Sequence, residues 1–272
     1  MQVDQSKLSS LLETAIVAAR AAGQLAIEGL EYLKVSVKNG NEFVTQSDIK
    51  CQNAIIAKIK ENFPDHGFIA EEGQDGKSLI VPPRGDDRVW WVIDPIDGTN
   101  NFAHKLLSFT VSIAAISEGE PIVGVIFEPA TDSIYTAVKD GHAQLNGRKI
   151  EAGNDKIDTF NSIGLDSNFD NGVPQWTQYI MQHTRYRNFG TTALHLACVA
   201  KGGLIACIVQ GAKLWDIAAG ALIVEAAGAL VTDWQGKRFF PMDMDNYRHR
   251  TFNTLAANKT VRQELIELLG KA

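Results

Sequence analysis

With 272 residues, 45% of them hydrophobic and 21% charged, the chain is long enough for one large domain or two fused lobes and too apolar to be intrinsically disordered. Its formal net charge is −6 and no run of Lys or Arg exceeds two, which argues against nucleic-acid binding through a basic surface. Residues 1–10 are mostly polar, without a basic segment leading into an apolar one, and no apolar stretch reaches the ~20 residues that span a bilayer, so neither a secretory leader nor a membrane partner is expected.

Leu8, Leu11, Leu12, Ala15, Ile16, Ala19, Ala22 and Ala26 recur at helical spacing and predict a long amphipathic first helix, with Ser and Asp upstream as caps. Residues 35–44 read as extended about the polar turn Lys38-Asn39-Gly40-Asn41. Ser47 is placed to cap a second helix carrying Ile49, Ile55, Ile56 and Ile59 and ending before Pro64. Residues 67–70 predict a short strand that delivers Glu71 and Glu72, and the polar, Gly- and Pro-rich segment 73–88 predicts a mobile loop. Strands are expected at 88–93, 109–116, 122–127 and 133–138, forming an antiparallel meander, with Asp140-Gly141 and Asn146-Gly147 as turn pairs. The rest alternates: a strand at 161–165, helices at 174–183 and 190–200, a strand at 204–209, an Ala-rich helix at 216–227, strands at 230–232 and 254–257, and a closing helix from Thr260. Such alternation predicts an α/β, layered fold in which two lobes, about 1–155 and 156–272, share one core. Cys51, Cys198 and Cys207 show no C-x-x-C spacing and sit among apolar or small residues, which predicts buried free thiols in a reducing, cytoplasmic setting.

The most informative stretch is Trp90-Trp91-Val92-Ile93-Asp94-Pro95-Ile96-Asp97-Gly98-Thr99-Asn100-Asn101-Phe102, an apolar run that ends in two carboxylates and a Gly-Thr step. Burying an unpartnered charge costs several kcal/mol, so a divalent cation is the expected partner. Glu71-Glu72 close another strand, and Asp216 follows Leu214-Trp215 at a helix start. Each also has a plainer reading. Asp216 alone reads as an N-cap worth about 1 kcal/mol, Glu71-Glu72 as a solvated strand end, and Asp94 with Asp97 as caps of a turn. The combination supplies about the four carboxylates that two hard cations need for phosphoryl transfer. Gly98-Thr99 allows a close backbone approach to a phosphate, and the Thr99 hydroxyl is placed to orient water. His66, His104, His142, His183, His195 and His249 form no metal-spaced pair; His195 reads as a packed side chain, and Asp243 with Asp245 as solvated surface.

Taken together, Trp91-Val92-Ile93-Asp94-Pro95-Ile96-Asp97-Gly98-Thr99-Asn100-Asn101-Phe102 and Leu214-Trp215-Asp216-Ile217-Ala218-Ala219-Gly220 resemble the two signatures of the inositol monophosphatase family. Phe43-Val44-Thr45-Gln46-Ser47-Asp48, Phe68-Ile69-Ala70-Glu71-Glu72, Gly190-Thr191-Thr192-Ala193 and Glu225-Ala226-Ala227-Gly228-Ala229 match further blocks in order, so the resemblance covers nearly the whole chain. It implies an α-β-α-β-α sandwich of the sugar phosphatase type. It also implies Mg²⁺-dependent, Li⁺-sensitive hydrolysis of a polyol or sugar phosphate by two or three ions, direct attack of water without a phospho-enzyme, and a homodimer built on exposed apolar residues of the meander. By position, Glu71, Asp94, the Ile96 carbonyl, Asp97 and Asp216 would bind metal, and Glu71 and Thr99 would orient water. Asp48 would support Thr99 or an outer metal, and the Gly98 and Thr99 amides would hold phosphate. Ile96, Asp97, Arg187, Gly190, Thr191 and Asp216 would complete the substrate site, with Lys38 in a loop over the metals.

One departure bears on substrate. Many inositol phosphatases carry a Glu seven residues before the Trp-Asp aspartate; here that position is Val209, followed by Gln210 and Lys213. Val209 cannot accept hydrogen bonds from a polyol, whereas Lys213 reads either as a solvated charge or as a partner for a second anionic group. Rival readings are therefore a phosphatase for fructose 1,6-bisphosphate, histidinol phosphate or a 3′-phosphonucleotide, and a regulatory binding protein that retained the fold, acting for example on the transcription machinery.

Overall fold

The computed structural model describes residues 4–38, 42–74, 77–166 and 172–270; the turn 39–41 expected after Lys38 lies outside them. Helix α1 (Gln5–Gly29) is followed by the antiparallel pair β1 (Val35–Lys38) and β2 (Glu42–Thr45) and by α2 (Gln46–Asn62). Strands β3 (Gly67–Ala70), β4 (Leu79–Val81), β5 (Val89–Asp97), β6 (Thr110–Ser117), β7 (Glu120–Glu128), β8 (Ser133–Val138), β9 (Gln144–Leu145) and β10 (Arg148–Lys149) form one sheet in the order β10-β9-β8-β7-β6-β5-β3-β4. Only β3 and β5 run parallel in it. The short helix α3 (Thr99–Ala103) links β5 to β6. A second sheet, ordered β12-β11-β13-β15-β14, is built from β11 (Ser162–Leu165), β12 (Arg185–Arg187), β13 (Ala206–Ala212), β14 (Leu230–Asp233) and β15 (Phe252–Ala257). Its helices are α4 (Gln175–His183), α5 (Thr192–Ala200), α6 (Leu214–Ala226) and α7 (Arg262–Leu269).

Period-two side-chain alternation builds the layers. In β5, Trp91 and Ile93 face the cluster made with Leu11, Ala15 and Ala22 of α1 and Ile55 of α2. Trp90 and Val92 face the opposite cluster, made with Leu196 of α5 and Ile217 and Val224 of α6. In β13, Cys207 and Val209 join that same central cluster, while Ala206 and Ile208 pack with Trp176 and Ile180 of α4 and Leu265 and Leu269 of α7. The order is therefore helices, sheet, helices, sheet, helices: the expected α-β-α-β-α sandwich.

Several local expectations need correction. Thr45, not Ser47, caps α2: it is extended, its hydroxyl accepts from the Ser47 N–H, and Asp48 completes a capping box. The segment 73–88 contains β4, an edge strand of three residues too short to show alternation. The strand expected at 88–93 continues through Asp97, where pairing with β6 resumes after a register shift between Asp94 and Asp97. Pro95 lacks a ladder donor, so the strand bulges there instead of ending. Helix α5 starts at Thr192 with Thr191 as its N-cap, and α7 at Arg262, each two residues beyond the expected start. Helix α1 is after all long and apolar enough to cross a membrane by length and composition. Leu11, Ala15, Ala18, Ala19 and Ala22 are nonetheless fully buried against the sheet and α2, so it serves as a core helix. The meander's apolar residues are buried as well; Phe160, Met181 and Tyr186, around α4 and β12, are among the exposed ones. All three cysteines are buried and free.

Candidate active site

Three elements deliver the acids. Glu71 follows β3, Asp94 and Asp97 lie in the bulged end of β5, and Asp216 sits in the first turn of α6. Asp216 does not open that helix; it occupies the third helical position and accepts from the Lys213 N–H at 2.6 Å. Asp94 is 2% exposed and shares hydrogen bonds with the carboxyls of Glu71 and Asp216. Burial first, then the charges of Glu71, Asp97 and Asp216, holds its proton well above the usual carboxylate range. Burial likewise raises Asp97 to about 6 and, together with the charge of Asp97, raises Asp216 to about 7. Four acids therefore meet where their joint ionisation is opposed.

The bulge places the remaining groups. Asp94 Oδ1 accepts from the Ile96 N–H at 3.0 Å, and the Ile96 carbonyl accepts the Thr99 hydroxyl at 3.0 Å. That hydroxyl also lies 3.3 Å from Asp48 Oδ1, while Asp48 Oδ2 accepts from the Thr45 N–H and hydroxyl at 2.8 and 2.6 Å. Asp48 is fully buried, which raises it to about 6 despite those bonds. Gln52, which belongs to none of the sequence motifs, lies one turn beyond Asp48 on the same face of α2. Its side-chain oxygen accepts from the Glu72 N–H at 2.8 Å and its amide donates to the Glu72 carbonyl, fixing the backbone beside Glu71. The i, i+4 spacing from Asp48 was the available signal.

Asp97 does something its motif does not reveal. It accepts from the Thr191 hydroxyl, from the Ala193 N–H at 2.6 Å and from the Thr192 N–H at 3.3 Å, and so anchors the start of α5. Nearby, Asn101 donates to the carbonyls of Ser108 and Phe189 at 2.7 and 2.6 Å, and the Ser108 hydroxyl donates to the same Phe189 carbonyl. Gly190 has φ +67°, and an added Cβ would come within 2.6 Å of the Asn101 amide. Gly190→Ala is therefore expected to cost about 2 kcal/mol and to lower the thermal midpoint by roughly 4–8 °C; an unchanged melting curve would refute this close packing.

Asp97, Gly190, Thr191 and Val209 line a cleft of about 680 Å³. His195 is also in its wall, but its Nε2 accepts from the Phe189 N–H and burial pushes it down to about 4, so it is the packed, neutral ring expected. Arg187 stands outside that wall, exposed on β12, with its guanidinium donating to the Tyr186 carbonyl.

Among the described residues no group of three or more His, Cys, Asp or Glu is arranged to hold a metal outright. The donor chemistry nevertheless fits Mg²⁺, which keeps several waters and needs only one or two carboxylates per ion. Carboxyls that bond one another to share protons are what such a cluster forms without a cation.

The inositol monophosphatase family profile matches residues 7–269. A protein named Nus factor SuhB from Pasteurella multocida is 36% identical over 84% of this chain and 87% of its own length. Inositol-1-monophosphatase from Mesorhizobium japonicum is 31% identical over 97% of both chains. The solved structure of the IMPase of Thermotoga maritima superposes with a TM-score of 0.83 at 29% identity, covering 96% of this chain and 97% of that one. With a signature match along nearly its full length and the layered architecture to go with it, this chain belongs to the inositol monophosphatase family.

Proposed function

We propose that the protein hydrolyses phosphate monoesters of a small polyol or sugar alcohol with Mg²⁺ as cofactor, two or three ions being held by Glu71, Asp94, the Ile96 carbonyl, Asp97 and Asp216. The observation that carries this reading is the meeting of buried Asp94 and Asp97 with half-buried Glu71 and Asp216 beside Gly98 and Thr99, where the proton affinities of Asp94, Asp97 and Asp216 are all raised in the absence of a cation. Bound Mg²⁺ would polarise the phosphoryl oxygens, acidify the attacking water and neutralise the leaving oxygen. Thr99, itself aimed by Asp48 and the Ile96 carbonyl, orients the water together with Glu71, which takes its proton. The amides of Gly98 and Thr99 hold the phosphate, and Asp97, Gly190 and Thr191 face the alcohol. Attack in line on phosphorus breaks the ester P–O bond, and the departing alcohol oxygen takes up a proton, with no phospho-enzyme.

A Mg²⁺-dependent phosphate-release assay over a panel of esters tests this. Release should vanish with a chelator, return with Mg²⁺ and be inhibited by millimolar Li⁺; no release from any ester with Mg²⁺ present would sink the reading. A homodimer and a cytoplasmic location complete it. A second reading, a binding role beside or instead of hydrolysis, is supported by the 36% identity to a protein named Nus factor SuhB. A metal-site variant that loses hydrolysis but keeps that role would separate the two.

A further inference from the structure

The cleft beside Asp97 has a one-sided electrostatic character. Among the described residues no Lys or Arg lines it. His195 is held neutral by burial and by the Phe189 N–H. A second carboxylate, Asp166, stands in the wall where the chain leaves β11, next to Val209 and the apolar lip of Leu106 and Leu107, each 55% exposed. The Asp166 backbone N–H donates to the Ile208 carbonyl, which fixes the residue to the end of β13. A carboxylate accepts several hydrogen bonds at once, so it can serve a ligand alongside its other contacts.

The geometry points to a substrate whose alcohol part carries a cationic ammonium group, bound by Asp166, on an apolar spacer that rests against Leu106, Leu107 and Val209. A second phosphate at this end would meet a carboxylate and, among the described lining residues, no Lys or Arg, and is disfavoured. The assignment rests on the phosphatase reading above and specifies the substrate class of that same cleft. It makes Asp166 a specificity residue and removes bisphosphates from the expected substrates.

The test uses matched probes with Mg²⁺: 2-aminoethyl, 3-aminopropyl and 4-aminobutyl phosphate, the n-alkyl phosphates of equal length, and propane-1,3-diol bisphosphate. For the best-fitting length, kcat/KM should favour the amine over its alkyl match by tenfold or more, with the bisphosphate poorest. In Asp166→Asn that preference should collapse by about tenfold, in Asp166→Glu it should be partly kept, and Asp166→Lys should raise the bisphosphate relative to the amine. An alkyl ester or the bisphosphate preferred by the wild-type protein, or a preference untouched in Asp166→Asn, would overturn the assignment. Calorimetric binding of the same probes keeps the two readings apart. Asp166-dependent binding of the amines without turnover would end the phosphatase reading and leave this assignment standing, whereas turnover without amine preference would do the reverse.

Discussion

Asp94→Asn is expected to reduce Mg²⁺-dependent hydrolysis by on the order of 10³-fold or more, about 4 kcal/mol of lost transition-state stabilisation, while the metal-free protein stays folded and gains stability. The two effects have one cause. Asp94 is buried against Glu71, Asp97 and Asp216, and its proton is held well above the usual range by burial and by those charges. Asn copies the protonated acid: its side-chain oxygen can still accept from the Ile96 N–H, and its amide can donate to the neighbouring carboxyls. It removes the cost of keeping a buried acid protonated beside those charges but also a ligand from the proposed metal site. The thermal midpoint without metal should rise by a few degrees, as about 1 kcal/mol does for a domain of this size, and the shift produced by Mg²⁺ should shrink or disappear. Melting curves with and without Mg²⁺, read beside initial rates, check both halves. Wild-type turnover together with an unchanged Mg²⁺ shift would remove Asp94 from the site.

The second large effect is linkage between Mg²⁺ and pH. Asp48 and Asp97 at about 6 and Asp216 at about 7 all lie above the ordinary 3.8, chiefly because they are buried. Between 3.8 and those values the folded, metal-free protein binds more protons than the unfolded chain. Stability from these groups is complete at low pH and is lost as pH rises through 6 to 7. Buried His195 acts in the opposite sense: its folded value is about 4 against 6.5 unfolded, so it costs stability as pH falls through that interval. The two trends oppose each other below 6.5, and above it the carboxylates alone govern the slope. The metal-free midpoint should therefore decline from pH 6.5 to 8. Mg²⁺ binds the deprotonated acids, so each proton displaced weakens apparent affinity up to about tenfold per pH unit below the group's value. The Mg²⁺-induced rise in midpoint should be larger at pH 8 than at pH 6, with proton release seen calorimetrically in buffers of different ionisation enthalpy. An equal or larger rise at pH 6 would contradict this account.

How far these features could be read in advance follows from their physics. The layering was legible because β5 and β13 place alternate residues in different apolar clusters, and such strands read as unbroken hydrophobic runs. The carboxylate set was legible because acids at the ends of such runs demand partners. The continuation of β5 to Asp97 was not, because Pro95 and two acids look like a strand end and only the pairing with β6 shows the bulge. Strand β12 was missed because Arg185, Tyr186 and Arg187 are all exposed and carry no alternation. The bonds of Asp97 to Thr191, Thr192 and Ala193 span more than ninety positions of sequence, beyond any local pattern. Val209 did announce itself, since the side chain that replaces an expected acid does line the cleft.

Because one carboxylate both ends β5 and anchors α5, the wall proposed to meet the alcohol is seated on the proposed metal site before any ligand arrives. Asp166 and Val209, at the outer ends of β11 and β13, lie in the cleft wall away from that joint. Exchanging side chains there can retune which alcohol is accepted without loosening the joint. On the proposed phosphatase reading, changes at the rim are thus expected to alter selectivity alone, while substitutions at the joint are expected to cost selectivity, turnover and folding together.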